Sequence, residues 1–173
     1  MLERALWPAV LPFRRVIWLG PLAAVVHNAE EYPGIVAYGQ RHLSELVGVA
    51  FPNERQLLPA IVLADVLPFV AAAVAAGSPR GSLRWLPFFA IQAGIFANAL
   101  VHLLQTLWFT DYSPGTATGL LLSIPVNAYL FRRALFEHVV SARQLASAAV
   151  VGVLGLAPAI IGLQYLGKVL TAR

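Results

Sequence analysis

Along most of this chain, apolar runs are separated by short segments holding proline, glycine and arginine. Apolar runs of about 20 residues match the thickness of a bilayer when wound as helices. Inside lipid, a helix is one of the few ways such a run can satisfy its own backbone. Read in this way, the sequence predicts spans over about residues 15–32, 57–76, 83–109, 116–136 and 145–166. Pro33-Gly34, Gly77-Ser78-Pro79 and Asp111-Tyr112-Ser113-Pro114-Gly115 mark where the first three stop. Composition agrees: 59% of residues are apolar and 12% charged, against about 45–50% and 25% in soluble domains. The predicted fold is a single all-α integral membrane bundle of about five transmembrane helices covering residues 1–173. The stretch 34–53 is more polar and is expected as a surface amphipathic helix or a re-entrant element.

The net charge of +4 does not point to nucleic acid, because the arginines sit in connectors between apolar runs. There they orient a membrane protein. Arg4, Arg14, Arg15, Arg80, Arg84, Arg132, Arg133 and Arg143 fall on one side; Arg41, Arg55, Lys168 and Arg173 fall on the other. The richer side is expected in the cytoplasm, with the N-terminus inside and the C-terminus outside a bacterial inner membrane. Pro8 and Pro12 interrupt the first apolar stretch, so it does not read as a cleavable signal. The absence of cysteine excludes disulfides and thiolate metal ligands.

With that orientation, the polar residues of four spans fall at one depth in the outer half. His27, Glu30 and Glu31 lie within a helical turn on one face of the first span. Asp65 lies on the second span. Asn98, His102 and Gln105 form an i, i+4, i+7 stripe on the third, and Gln164 sits near the outer end of the fifth. Ionisable groups are costly in lipid, so a cluster of them marks either a site or the end of a span in water. Histidine and carboxylate together suit zinc, iron or manganese and also serve general acid–base chemistry. The metal ligands expected are His27, Glu31 and His102. Glu30 is the candidate second carboxylate ligand or base, and Asp65 the candidate acid or supporting partner. Asn98, Gln105, Tyr112 and Gln164 are expected to line or support the pocket, with Tyr112 at its mouth or simply in a turn capped by Thr116. Gln92 reads as an interhelical hydrogen bond. Gly152, Gly155, Ala159 and Gly162 read as close helix packing, within the bundle or between copies in a homo-oligomer.

His27-x-x-Glu30-Glu31 on the first span, Asn98-x-x-x-His102 and Tyr112-Ser113-Pro114-Gly115-x-x-Thr118 together resemble the HXXEE family of small multispan bacterial membrane proteins. The resemblance implies a shared site but brings no substrate or reaction with it. The expectation from the residues is a membrane-embedded enzyme that uses a divalent metal on a lipophilic substrate, a lipid or an isoprenoid. The same groups suit a small transporter or proton-coupled carrier. They also suit a non-catalytic binding or assembly subunit, with the polar residues as bundle glue.

Overall fold

The computed structural model describes residues 11–44 and 51–172. Among these residues there is no strand. The long helices are α1 (Leu19–His42), α2 (Glu54–Ala76), α3 (Leu86–Phe109), α4 (Ile124–Phe136) and α5 (Ala142–Leu170). A helical turn at Phe13–Val16 precedes α1, and a 3₁₀ turn at Leu83–Trp85 leads into α3. A short turn, Thr116–Thr118, and a π-helical turn, Gly119–Ser123, lead into α4. The protein is all-α and a membrane protein.

Among the described residues, three segments are long and apolar enough to cross a bilayer: Glu54–Ala76, Leu83–Phe109 and Ala142–Leu170. That is fewer than the five spans expected. α1 has the length but is laden with polar groups, from His27, Asn28, Glu30 and Glu31 to Gln40, Arg41 and His42. The fourth run is divided by its π-helical turn, and α4 proper has only 13 residues, ending near Arg132 and Arg133.

The ends of the helices also differ from expectation. α2 begins at Glu54 and α5 at Ala142, each about a turn before the apolar run. Asn53 with Gln56, and Ser141 with Gln144, form reciprocal capping boxes that satisfy the first amides. α1 was expected to stop at Pro33 and instead continues to His42, so residues 34–42 are not a separate surface helix. Residues 45–50 of that expected element lie outside the described residues, as do Arg4 and Arg173. A proline removes one helical hydrogen bond and crowds the preceding turn. Here both flanks of Pro33 are tethered. Before it, Glu30 binds the backbone at residues 115 and 118. After it, Ile35 and Tyr38 pack with Leu57 and Phe109. Beyond them, Arg41 and His42 contact the Asp111 carboxylate at 3.1 and 2.8 Å. The His42 bond, with Arg41 beside it, holds the Asp111 carboxyl below the usual carboxylate range.

The arginine-rich end is packed solid. Phe13, Ile17, Trp85, Phe88, Phe89 and Leu130 are buried in one cluster. Arg14 donates to the Ser78 carbonyl at 2.9 Å, and Arg133 donates to the Leu11 carbonyl at 2.9 Å and pairs with Glu137. Gln92 lies just beyond this core and does not make the expected interhelical bond. Its side chain packs against Gly20, and neither of its amide atoms has a partner.

α5 lies on the outside of the bundle, with only Ala148 and Gly167 buried. It touches its neighbours most closely at two glycines. Gly152 meets the Ala90 carbonyl of α3, and Gly167 meets the Gln56 carbonyl at the start of α2. The separation of these contacts is roughly 22 Å at 1.5 Å per residue, so α5 bridges the cleft between α2 and α3. Of the residues read as close helix packing, Gly152 packs within the bundle, whereas Gly155 and Gly162 make no such contact inside this chain. A Cβ at either of those would meet nothing within 4 Å.

Gly152→Ala should lower the thermal midpoint, because overpacking at a backbone contact costs about 1–3 kcal/mol. Gly162→Ala should leave it unchanged or raised. Equal midpoints for both variants would contradict the bridging contact.

Candidate metal centre

The π-helical turn and the short turn before it bring residues 113–118 against α1 and α3. Gly115 makes this approach feasible. Its φ is +95°, and a Cβ there would lie 2.8 Å from Cε1 of His27. An L side chain would thus be strained and would also strike the ring.

Glu30 fastens the segment. Its Oε1 accepts from the Gly115 amide at 3.2 Å and from the Tyr112 hydroxyl, and its Oε2 accepts from the Thr118 amide at 2.7 Å. The Tyr112 hydroxyl in turn accepts from the Ala117 amide at 3.1 Å. Both Glu30 oxygens are thus engaged, and the carboxylate stands apart from the ligand group. The geometry makes Glu30 an anchor of the loop where a ligand or base was expected. Tyr112 belongs to that anchor and does not line the cavity mouth. The N-cap of the turn is Gly115, where Thr116 was expected. The Thr116 hydroxyl bonds the Ser113 carbonyl at 2.6 Å instead.

His27 and His102 are 2% and 4% exposed, with ring centroids 5.1 Å apart. Their Nδ1 atoms contact hydroxyls: Thr118 Oγ1 at 3.1 Å for His27, and Ser113 Oγ at 2.9 Å for His102. Ser113 donates onward to Gln105 Oε1 at 3.0 Å. Their Nε2 atoms face Asn98 Nδ2 at 3.3 and 3.1 Å. As oriented, the amide nitrogen of Asn98 only donates, so both Nε2 atoms accept. Each neutral ring then carries its proton on Nδ1 and donates it to the hydroxyl. The result is two unprotonated Nε2 atoms that share the Asn98 amide and both lie within 3.7 Å of Glu31.

Glu31 completes the group. Its Oε2 lies 3.7 Å from His27 Nε2 and its Oε1 3.6 Å from His102 Nε2. One ligand atom from each of His27, Glu31 and His102 lies within 4.8 Å of the others. Bonds of about 2.0–2.1 Å to one ion put ligand atoms roughly 3–3.5 Å apart. The two carboxylate edges are within a few tenths of an ångström of that spacing, and the group as a whole, within 4.8 Å, would draw together around one ion, so these residues could hold a metal.

The group opens onto a cavity of about 460 Å³ between α1, α2, α3 and α5. Asn98, Gln105 and Gln164 line it with His27, Glu31 and His102. Asp65 does not. Its Oδ1 accepts from Asn28 Nδ2 at 2.7 Å, and Asn28 lines the cavity. The sequence reading overlooked Asn28 as a wall residue and the hydroxyls of Ser113 and Thr118 as ring supports. The last two stand inside the Tyr112-Ser113-Pro114-Gly115-x-x-Thr118 pattern, which was the available signal.

The same residues decide the family. The model of a family described as "Protein of unknown function with HXXEE motif" matches residues 18–130. This interval contains every ligand and every ring support. The chain belongs to the HXXEE family. It is similar to the Uncharacterized protein YrkK of Bacillus subtilis (strain 168). The two are 28% identical over 138 residues, which is 78% of this chain and 85% of YrkK. No solved structure matches the chain.

Glu30→Gln should loosen the 112–118 segment, since an amide group would set a donor against backbone donors. Hydrogen bonds to a charged acceptor are worth about 1.5–3 kcal/mol. A lower thermal midpoint with new protease cleavage near Ser113–Gly115 is expected. Wild-type midpoint and protease resistance would remove the anchoring role.

Proposed function

We propose that this HXXEE protein is a membrane-embedded, metal-dependent enzyme acting on a lipophilic substrate. The observation that carries the reading is the convergence of two imidazole Nε2 atoms and one carboxylate at the wall of a cavity within the helices. Two histidines and a carboxylate leave coordination positions open, and the donor set suits zinc, iron or manganese. A divalent ion held there supplies Lewis acidity and an activated water at neutral pH.

The protein's own residues have distinct parts. Ser113 and Thr118 fix the ring tautomers, as hydrogen-bond partners of metal-bound histidines commonly do. Asn98 keeps both Nε2 atoms unprotonated until an ion takes its place. Glu31 joins the ligand set and faces substrate, whereas Asp65 acts through Asn28 as a positioning residue. The depth of the cavity among apolar helices supports a lipid or isoprenoid substrate drawn from the bilayer. The reading sets the chain in a bacterial inner membrane with its N-terminus in the cytoplasm, alone or as a homo-oligomer.

A proton-coupled carrier could use the same groups, since the Glu31 carboxyl lies 3.7 and 3.6 Å from the two Nε2 atoms, and metal content separates the two readings. A non-catalytic subunit would not need two bare Nε2 atoms aimed at one carboxylate.

Elemental analysis of detergent-purified, untagged protein tests the proposal. A stoichiometric first-row metal is expected in the wild type and its loss in His27→Ala. Glu31→Gln should fold with a near-wild-type thermal midpoint while losing most of the metal. Metal-free wild type after growth with zinc, iron and manganese supplied would reject the enzyme reading.

A further inference from the structure

The cavity has an internal order that the metal site alone does not explain. Most of its polar residues form one band, from His27 to Glu31 on α1 and from Asn98 to Gln105 on α3. Below that band, toward the arginine-rich end, the wall is apolar: Ala24, Pro68, Ile91, Gly94, Gly155 and Leu156. Above it the wall is mainly apolar, with Ile35, Phe51 and Leu57, and Gln164 stands there on α5, within a turn of the Gly167–Gln56 contact. From Asn98 down to Ile91 the lower arm runs roughly 10 Å along α3 at 1.5 Å per residue. A small polar solute would fill only the middle of such a space.

The route in is equally specific. α5 spans the cleft between α2 and α3 and touches them most closely at Gly152 and Gly167. Between those contacts, Gly155 lines the cavity with nothing within 4 Å of its would-be Cβ. One side of α5 is exposed, at Val150, Val153, Leu154, Ile161 and Tyr165, and the other lines the cavity, from Val151 to Gln164. Small residues there leave room for a ligand chain beneath the bridging helix. Because bilayer tails are as apolar as this wall, a chain can pass from lipid to cavity with little change in solvation. The polar band then sets where along its length the molecule stops.

We infer that the ligand is a single-chain lipid whose reacting polar function lies part-way along it, an ester of a long-chain alcohol or acid, with one apolar arm beneath α5 and the other toward Leu57. This deepens the enzyme reading, which it takes as its basis for the position of the reacting group.

The test is photolabelling of the full chain in detergent. The probe is hexadecyl hexanoate carrying a diazirine midway along the hexadecyl chain, the position that an extended chain brings to the end of the roughly 10 Å arm. The wild type should be labelled at Ile91, Leu156 or their neighbours. Unlabelled ester should compete strongly and hexadecanol weakly. Gly155→Leu, which fills the lower arm, should lose that labelling. Gly162→Leu, on the same helix and away from the cavity, should keep it. Thermal midpoints of both variants near wild type establish that they fold; should Gly155→Leu not fold, Ile91→Trp fills the same arm from α3. Undiminished labelling in the arm-filling variant, labelling confined to the outer face of α5, or equal competition by hexadecanol would each overturn the proposal. Labelling needs no metal. Wild type that stays metal-free after growth with zinc, iron and manganese, yet is labelled in the arm, would reject the enzyme reading and leave the binding of this lipid standing.

Discussion

Glu30, a half-buried carboxylate of α1, takes its donors from the backbone and from the Tyr112 hydroxyl rather than from a basic side chain. Its two oxygens hold the amides of Gly115 and Thr118, and with them the whole turn that follows α3. These donors converge on one carboxylate in only one arrangement of the chain. That arrangement sets Ser113 and Thr118 at the two imidazoles. The orientation of His27 and His102, and so the direction of both Nε2 lone pairs, depends on it. The second glutamate of the motif is thereby freed for a different part. Glu31 is one residue further around the helix and faces the imidazoles and the cavity, where Glu30 faces the loop.

The two ends of the bundle divide the work. At the arginine-rich end, aromatic residues fill the space between helices and the arginines are tied to carbonyls, so that end is rigid. At the other end the helices stand apart, and α5 closes the gap from outside. Close packing needs volume to be filled, and the glycines of α5 show both ways of meeting that need. Gly152 brings backbone against backbone, while Gly155 leaves space. One small-residue stripe serves as a packing contact at one position and as a cavity wall at the next.

Much of this was legible in the sequence, because it follows from hydropathy and helical periodicity. The apolar runs fixed the all-α class, and the i, i+4 spacing of Asn98 and His102 placed them on one face. That His27, Glu31, His102, Gln105 and Gln164 line one cavity agrees with counting residues along antiparallel helices. What was not legible depends on tertiary contacts between distant segments. Pro33 reads as a stop unless the tethers at Glu30 and Asp111 are known. Glu30 and Glu31 read as equivalent until the loop is folded onto one of them. Gly155 looks like Gly152 until the partner helix is in place. The capping boxes at Asn53-Glu54-Arg55-Gln56 and Ser141-Ala142-Arg143-Gln144 were readable signals that extend α2 and α5 beyond their apolar runs.

The central claim is that two histidines and one carboxylate share an ion. X-ray absorption at the metal edge of the zinc-loaded, untagged protein measures that coordination shell directly. Two imidazole nitrogens and carboxylate or water oxygen at about 2.0–2.1 Å are expected, with one imidazole missing in His102→Ala. A shell made only of oxygen, or one unchanged in His102→Ala, would contradict it.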